Sequence, residues 1–215
     1  MKKAAMWIVS LLIICGLMTG CGGSASKFAG SYKGTVDMTD VYRQDFEDFT
    51  GVPSEASCSV EVSLTLAEED KQQTFTMSAD PEVIKQAISD EIDSRAEEVF
   101  NAIMESMDVR QEQYPQIVET MDEYDTVEEM QNAVIEEKKA EIEERIDVSE
   151  YQKLLNRTGT FEYDKETGVI TLLDQSETAG TITVEEGQDG SGRTYTLRAG
   201  DLETVLTKEE AEESK

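Results

Sequence analysis

The chain has 215 residues, with 47 acidic against 19 basic side chains, a formal net charge of -28 and no histidine. That charge repels nucleic acid and anionic lipid headgroups, so no polynucleotide partner is expected; it also favours a soluble monomer. The lack of histidine removes Ser-His-Asp and Cys-His nucleophile schemes and every histidine-ligated metal site.

Lys2 and Lys3 form a short positive N-terminal region, and Ala4 to Met18 is uncharged and apolar apart from Ser10 and Gly16. This run is short of the roughly 20 residues that span a bilayer and suits a removable export signal, residues 1–20. The run Leu17-Met18-Thr19-Gly20-Cys21 ends it. It resembles the lipobox of bacterial lipoproteins, with Met18 where Leu is commoner. The resemblance implies that the Cys21 thiol receives a diacylglyceryl group and that cleavage leaves Cys21 first. The protein would then sit in the cell envelope, lipid-anchored on the extracytoplasmic face. The acyl chain, not a charge patch, would hold it to the membrane. Residues 21–26 are small and read as a flexible tether. Losing Lys2 and Lys3 leaves 17 basic against 47 acidic residues, a net of -30. Gly22 in place of Asp resembles an outer-membrane destination in a two-membrane envelope; the envelope type stays open.

Residues 27–208 read as one domain, followed by a polar tail, 209–215. Phe28, Gly30, Tyr32, Gly34, Val36 and Met38 share one parity and predict a first strand, with two glycines marking a bent or closely packed course. Tyr42, Phe46 and Phe49 predict a short helix over Asp40 to Phe49, ended near Gly51 and Pro53. Val60, Val62, Leu64 and Leu66 alternate again. A turn over Ala67 to Lys71 then leads into Thr74 to Met77, a hairpin.

Residues 81–156 read as helical. Asp80 is a candidate N-cap and Pro81 suits a first helical position. Ile84, Ile88, Ile92, Ala96, Val99, Phe100, Ile103 and Met107 predict one helix with a single apolar stripe, broken by Tyr114-Pro115. A short piece with Ile117, Met121 and Tyr124 follows. Thr126 to Glu129 reads as a capping box opening a helix with Met130, Val134, Ile135, Ile142 and Ile146 inward. Ser149 and Gln152 cap a last turn that buries Tyr151, Leu154 and Leu155, and Gly159 closes the block.

Strands return from Thr158. Phe161 and Tyr163, Ile170 and Leu172, Ile182 and Val184, Tyr195 and Leu197, then Leu202, Thr204 and Leu206 mark five strands. The turns fall at Asp164 to Gly168, Glu186 to Gly192 and Ala199 to Asp201. Three strands, a helical insertion and five strands joined mostly by short turns predict an α+β domain. The expected form is an antiparallel up-and-down β-barrel of about eight strands, with the insertion between strands three and four. The segment Phe28-Ala29-Gly30-Ser31-Tyr32-Lys33-Gly34 resembles the first strand of small lipocalin-like bacterial lipoproteins, which implies a lipocalin-like barrel. The copper-homeostasis members of that group carry a Cys-x-x-Cys pair that this chain lacks, so no copper role is implied.

No catalytic, cofactor-binding or metal-binding residue is nominated, and no cofactor is expected. Cys58 opens a strand and reads as a small buried thiol. Neither Asp164 to Gly168 nor Gln188 to Gly192 has the ligand alternation of a calcium loop. With 47 carboxylates and no flanking signature, no glycosidase pair stands out and no enzyme activity is expected. Tyr32, Phe75, Phe161, Tyr163 and Tyr195 line a ligand cavity or fill a core. Met104, Met107, Met121 and Met130 form an adaptable apolar groove or the seat of the helices on the barrel. Residues 81 to 151 carry 22 acidic and 6 basic residues, either a surface for a basic partner or a solvated helix face. The expected function is a non-enzymatic, membrane-anchored module that binds a small ligand or an envelope component; the alternative is an accessory protein docking a partner through its helices.

Overall fold

Alternation at period two becomes the wall of a barrel. The computed structural model describes residues 25–69, 72–121, 123–186 and 192–209. The expected export signal, Cys21 and the expected tether up to Ser24 lie outside these residues, as do residues 187–191 of the long polar turn and residues 210–215 of the tail. The strands are β1 (Gly30–Asp37), β2 (Ser59–Glu69), β3 (Gln72–Ala79), β4 (Arg157–Asp164), β5 (Val169–Asp174), β6 (Glu177–Glu186), β7 (Arg193–Ala199) and β8 (Leu202–Lys208). Each pairs antiparallel with its sequence neighbour and β8 returns to β1, closing an up-and-down barrel. The register keeps one parity inward: Tyr32 lies opposite Leu64, Leu64 opposite Met77, Phe161 opposite Leu172, Ile182 opposite Leu197 and Tyr195 opposite Leu206. Slipping any pair by one residue would turn these side chains to water, which is why the register is specific.

Closure needs glycine where backbones crowd. A Cβ on Gly159 would stand 2.0 Å from the carbonyl oxygen of Leu173, beside the bulge at Leu172/Leu173, and one on Gly34 would stand 2.9 Å from the carbonyl oxygen of Val205. Gly159 therefore lies inside β4, which begins at Arg157, and does not close the helical block. The seam between β1 and β8 is short. Tyr32 and Lys33 pair with Lys208 and Thr207, and above them Thr204 takes over. Its hydroxyl accepts from the Thr35 N–H at 3.1 Å and donates to the Thr35 carbonyl at 2.8 Å. One side chain thus satisfies backbone groups that a neighbouring strand would otherwise pair.

The helices are α1 (Thr39–Thr50), between β1 and β2, and six between β3 and β4. These are α2 (Val83–Ser94), α3 (Ala96–Ser106), α4 (Tyr114–Thr120), α5 (Val127–Ala140), α6 (Ile142–Arg145) and α7 (Ser149–Leu155). The expected α1 stripe is present: Tyr42, Phe46 and Phe49 are buried, and Gly51 ends the helix in the left-handed conformation, φ 76°. The long helix expected over 84–107 is two helices. Arg95 leaves helical geometry at φ -123°, ψ 28°, and re-phases the stripe. Val99, Phe100 and Met104 then take the deep positions, while Met107 is 57% exposed. Asp80 caps a turn rather than the helix, its carboxylate accepting from the Glu82 N–H, and α2 starts at Val83. Tyr114-Pro115 opens α4 instead of breaking a helix, because proline suits a first turn as well as a break. Thr126 does cap α5, accepting from the Glu129 N–H at 3.1 Å, but the Glu129 carboxylate accepts from Asp125 rather than closing a box. The β2–β3 hairpin is tighter than expected, with Glu69 already paired to Gln72.

Strand direction sorts the connections between two ends. β1 begins and β8 ends at one end, here the floor, which also holds the β2–β3, β4–β5 and β6–β7 connections. α1, the α2–α7 segment and the β5–β6 and β7–β8 turns lie at the other end, the cap. α2 packs on β2, α7 packs on β3, and the core runs without a break from the barrel into the helices.

Candidate functional site

The barrel interior is the first place where a ligand could sit. Tyr32, Leu64, Leu66, Phe75, Met77, Phe161, Ile170, Leu172, Ile182, Leu197 and Leu206 point into it, and each has 0–2% of its surface accessible. A water-sized void would leave its lining side chains accessible, so these side chains fill the space against one another. Tyr32 and Tyr195 meet edge to face at 4.9 Å between ring centroids, which consumes aromatic surface that a ligand would need. The five aromatics expected either to line a cavity or to pack therefore converge on packing, with Tyr163 half-buried at the floor.

Both ends are stoppered. A 3-10 turn, Ala25–Phe28, precedes β1 and lays Phe28 across the floor, 0% exposed and 4.5 Å from the Tyr163 ring. The Tyr32 hydroxyl donates to the Phe28 carbonyl at 2.6 Å, fixing that turn to the barrel. Burial, then the neighbouring Tyr195, raises the Tyr32 pKa, so this hydroxyl stays a donor at any physiological pH. At the cap, Met38, Tyr42, Phe46, Ile84 and Ile88 close the opening, each 0–2% exposed.

The densest polar cluster lies between α1 and α2. Glu91, its side chain 11% exposed, accepts from the Tyr42 hydroxyl, from Ser54 Oγ at 2.7 Å and from Arg95 at 2.7 Å. Arg95 also donates to the Pro53 carbonyl at 2.9 Å and lies over the Phe46 ring. Burial opposes ionisation of Glu91, but the bonds from Tyr42, Ser54 and Arg95 outweigh it and hold its carboxyl below the ordinary range. All four partners are committed to one another. The cluster therefore clamps the helices to the 53–54 loop and presents no free base or nucleophile. Sequence reading missed it, because Tyr42 and Ser54 lie 49 and 37 residues from Glu91.

The remaining candidates divide between core and surface. Cys58 is buried, and burial followed by the nearby Asp37 pushes its thiol up, which makes it a poor nucleophile. Met104 and Met130 are core, whereas Met107 and Met121 are 57% and 44% exposed. Every basic side chain between residues 81 and 151 is paired internally. Lys85 meets Glu82 and Glu143, Arg95 meets Glu91 and Glu98, Arg110 meets Glu112, Lys138 and Arg145 meet Glu141, and Lys139 meets Asp93 and Glu136. The carboxylate excess of the helices is thus left to solvent. Among the described residues no three His, Cys, Asp or Glu side chains converge to hold a metal ion. A shallow cleft of ≈ 400 Å³ on the outer wall at the β1–β8 seam is lined by Lys33, Thr35, Glu61, Val205 and Thr207 together with Gly34 and Thr204.

No family model, no curated protein and no solved structure matches this chain.

Proposed function

We propose that the chain is a lipid-anchored, extracytoplasmic and non-enzymatic lipoprotein. In this reading its lipocalin-like barrel is a scaffold, and its helical subdomain docks a protein partner. The observation that carries it is the filled barrel: with eleven inward side chains 0–2% exposed and Tyr195 only 6%, the binding volume of a small-molecule carrier is occupied by the protein itself. The Leu17 to Cys21 run supplies the anchor. The helices supply the surface, with the cations between residues 81 and 151 already paired, an excess of carboxylates beyond them and Met107 and Met121 standing out as apolar points. The partner these features suit is basic, with apolar side chains to cover the methionines.

Cys21→Ala tests the anchor. The variant is expected to be released or mislocalised; retention on the membrane through an acyl-dependent route would refute the lipobox reading. Native mass spectrometry of the soluble domain, residues 24–215, tests the scaffold. A bare protein mass is expected, and a bound small molecule released by denaturation would make the protein a carrier instead. A photo-crosslinking residue at Met107 is expected to trap one discrete protein in cells, while the same residue at the barrel-wall position Val205 traps none. The reverse pattern would move the docking surface to the barrel.

A further inference from the structure

The floor of the barrel gathers three cations over its aromatic rings. Lys27 Nζ stands 4.7 Å and 4.8 Å from the centroids of Phe28 and Tyr163, and Lys208 Nζ stands 5.6 Å from Tyr32. Among the described residues neither ammonium has a carboxylate within 4.0 Å, whereas each of the six cations between residues 81 and 151 does. Arg193 completes the group, 6.0 Å over Phe28, with Glu186 as its partner. Around this centre the rim is acidic: Glu68, Asp164, Glu166, Glu185, Glu186 and Glu209 occupy the strand ends and turns of the same end. A floor with two ammoniums over its aromatic centre and carboxylates at its edge complements a zwitterionic surface. The ammoniums face phosphate, and the carboxylates face the headgroup amine.

The chain outside the described residues ends at this floor. Resting on the tether reading above, four residues, Cys21 to Ser24, separate the acyl group from Ala25. Fully extended they reach about 14 Å. An eight-residue strand is about 26 Å long, so the tether is shorter than the wall it hangs from. The cap cannot reach the bilayer unless the barrel lies on its side.

We infer that the anchored protein stands on its floor against a zwitterionic phospholipid surface. Lys27 and Lys208 meet lipid phosphates there, and the helical subdomain is held farthest from the membrane. The lipid is recognised by its headgroup pair of phosphate and amine, not by net charge, since the whole molecule is strongly acidic.

The test uses the full chain, processed in a bacterial host and reconstituted in phosphatidylethanolamine–phosphatidylcholine liposomes carrying a nitroxide headgroup quencher. With Cys58→Ala as background, one fluorophore is placed at Lys165→Cys in the β4–β5 turn and another at Glu119→Cys on α4. Quenching at the floor label is expected to exceed that at the α4 label by at least about threefold, because the barrel's length separates them. Adding Lys27→Gln and Lys208→Gln is expected to lower the floor quenching about twofold while the protein stays anchored. Equal quenching of the two labels overturns the standing orientation, and floor quenching unmoved by the lysine substitutions overturns the headgroup contact. Intact mass separates the two levels of the argument. Absence of the diacylglyceryl mass refutes the tether reading and this inference with it. Presence of that mass with equal quenching refutes this inference alone.

Discussion

Glu91→Gln isolates the electrostatic part of the clamp between α1 and α2. The substitution keeps the side chain's shape and one carbonyl acceptor but removes the charge that Tyr42, Ser54 and Arg95 converge on. Hydrogen bonds to a charged group stabilise by about 1.5–3 kcal/mol and neutral ones by about 0.5–1.5, so three bonds lose about 3 kcal/mol together. Easier burial of a neutral amide offsets part of that, leaving about 2 kcal/mol. For a domain of this size that is a fall in Tm of about 4–8 °C. The sign of the pH dependence follows from the depressed carboxyl pKa in the folded state. An unfolded Glu protonates near its ordinary value of about 4.3. The stabilisation is therefore fully present above that pH and is lost as pH falls through the lower folded value. Wild type and Glu91→Gln should differ at pH 7 and converge at strongly acid pH, followed by circular dichroism in urea titrations. A difference below about 0.5 kcal/mol at pH 7, within the range of an ordinary surface substitution, would refute the clamp. So would a difference that survives unchanged in acid.

Gly159→Ala sets a Cβ 2.0 Å from the Leu173 carbonyl oxygen and should cost about 3 kcal/mol or more, seen as a large loss of Tm or of soluble yield; a neutral result would mean that the β4–β5 pairing yields there. Phe28→Ala opens the floor and should cost about 3–5 kcal/mol by chemical denaturation, and a cost under 1 would show that the turn does not seal the barrel. Ser176→Gly relieves a positive φ of 73° in the β5–β6 turn and should stabilise by about 0.5–1 kcal/mol; destabilisation would contradict the turn geometry. In the soluble domain, residues 24–215, where Cys58 is the one thiol, it should react with a thiol reagent only at the rate of unfolding, and rapid labelling under native conditions would contradict its burial.

The barrel was legible because its signal is local. Inward residues such as Val60, Val62, Leu64 and Leu66 announce their face by parity alone, and short turns force neighbouring strands to pair. The helical stripes were legible for the same reason, although not their breaks. Arg95 is a good helix former, and only its bonds to Glu91, Glu98 and Pro53 reveal why the chain turns there. Tyr114-Pro115 fits a helix start as well as a stop, and Gln175-Ser176 makes a turn with two positive φ angles without the Asn or Gly that usually marks one. Gly159 reads as a terminator in sequence because the crowding that requires it comes from Leu173, on another strand. The Glu91 clamp and the aromatic floor were out of reach altogether. Each joins residues dozens of positions apart, and in a chain with 47 carboxylates no single Glu stands out.

The seam at Thr204 carries a consequence for how the protein is made. Thr35 waits for a partner 169 residues downstream, and until β8 exists β1 has β2 alone beside it. Loop closure across such a separation comes late and slowly, after local hairpins and helices have formed. A chain still emerging from the ribosome therefore cannot lock into its final shape, because the lock is in the last strand of the barrel. Removing residues 202–208 should leave β1 and β7 as open edges, and such a truncated product should aggregate where the complete chain folds.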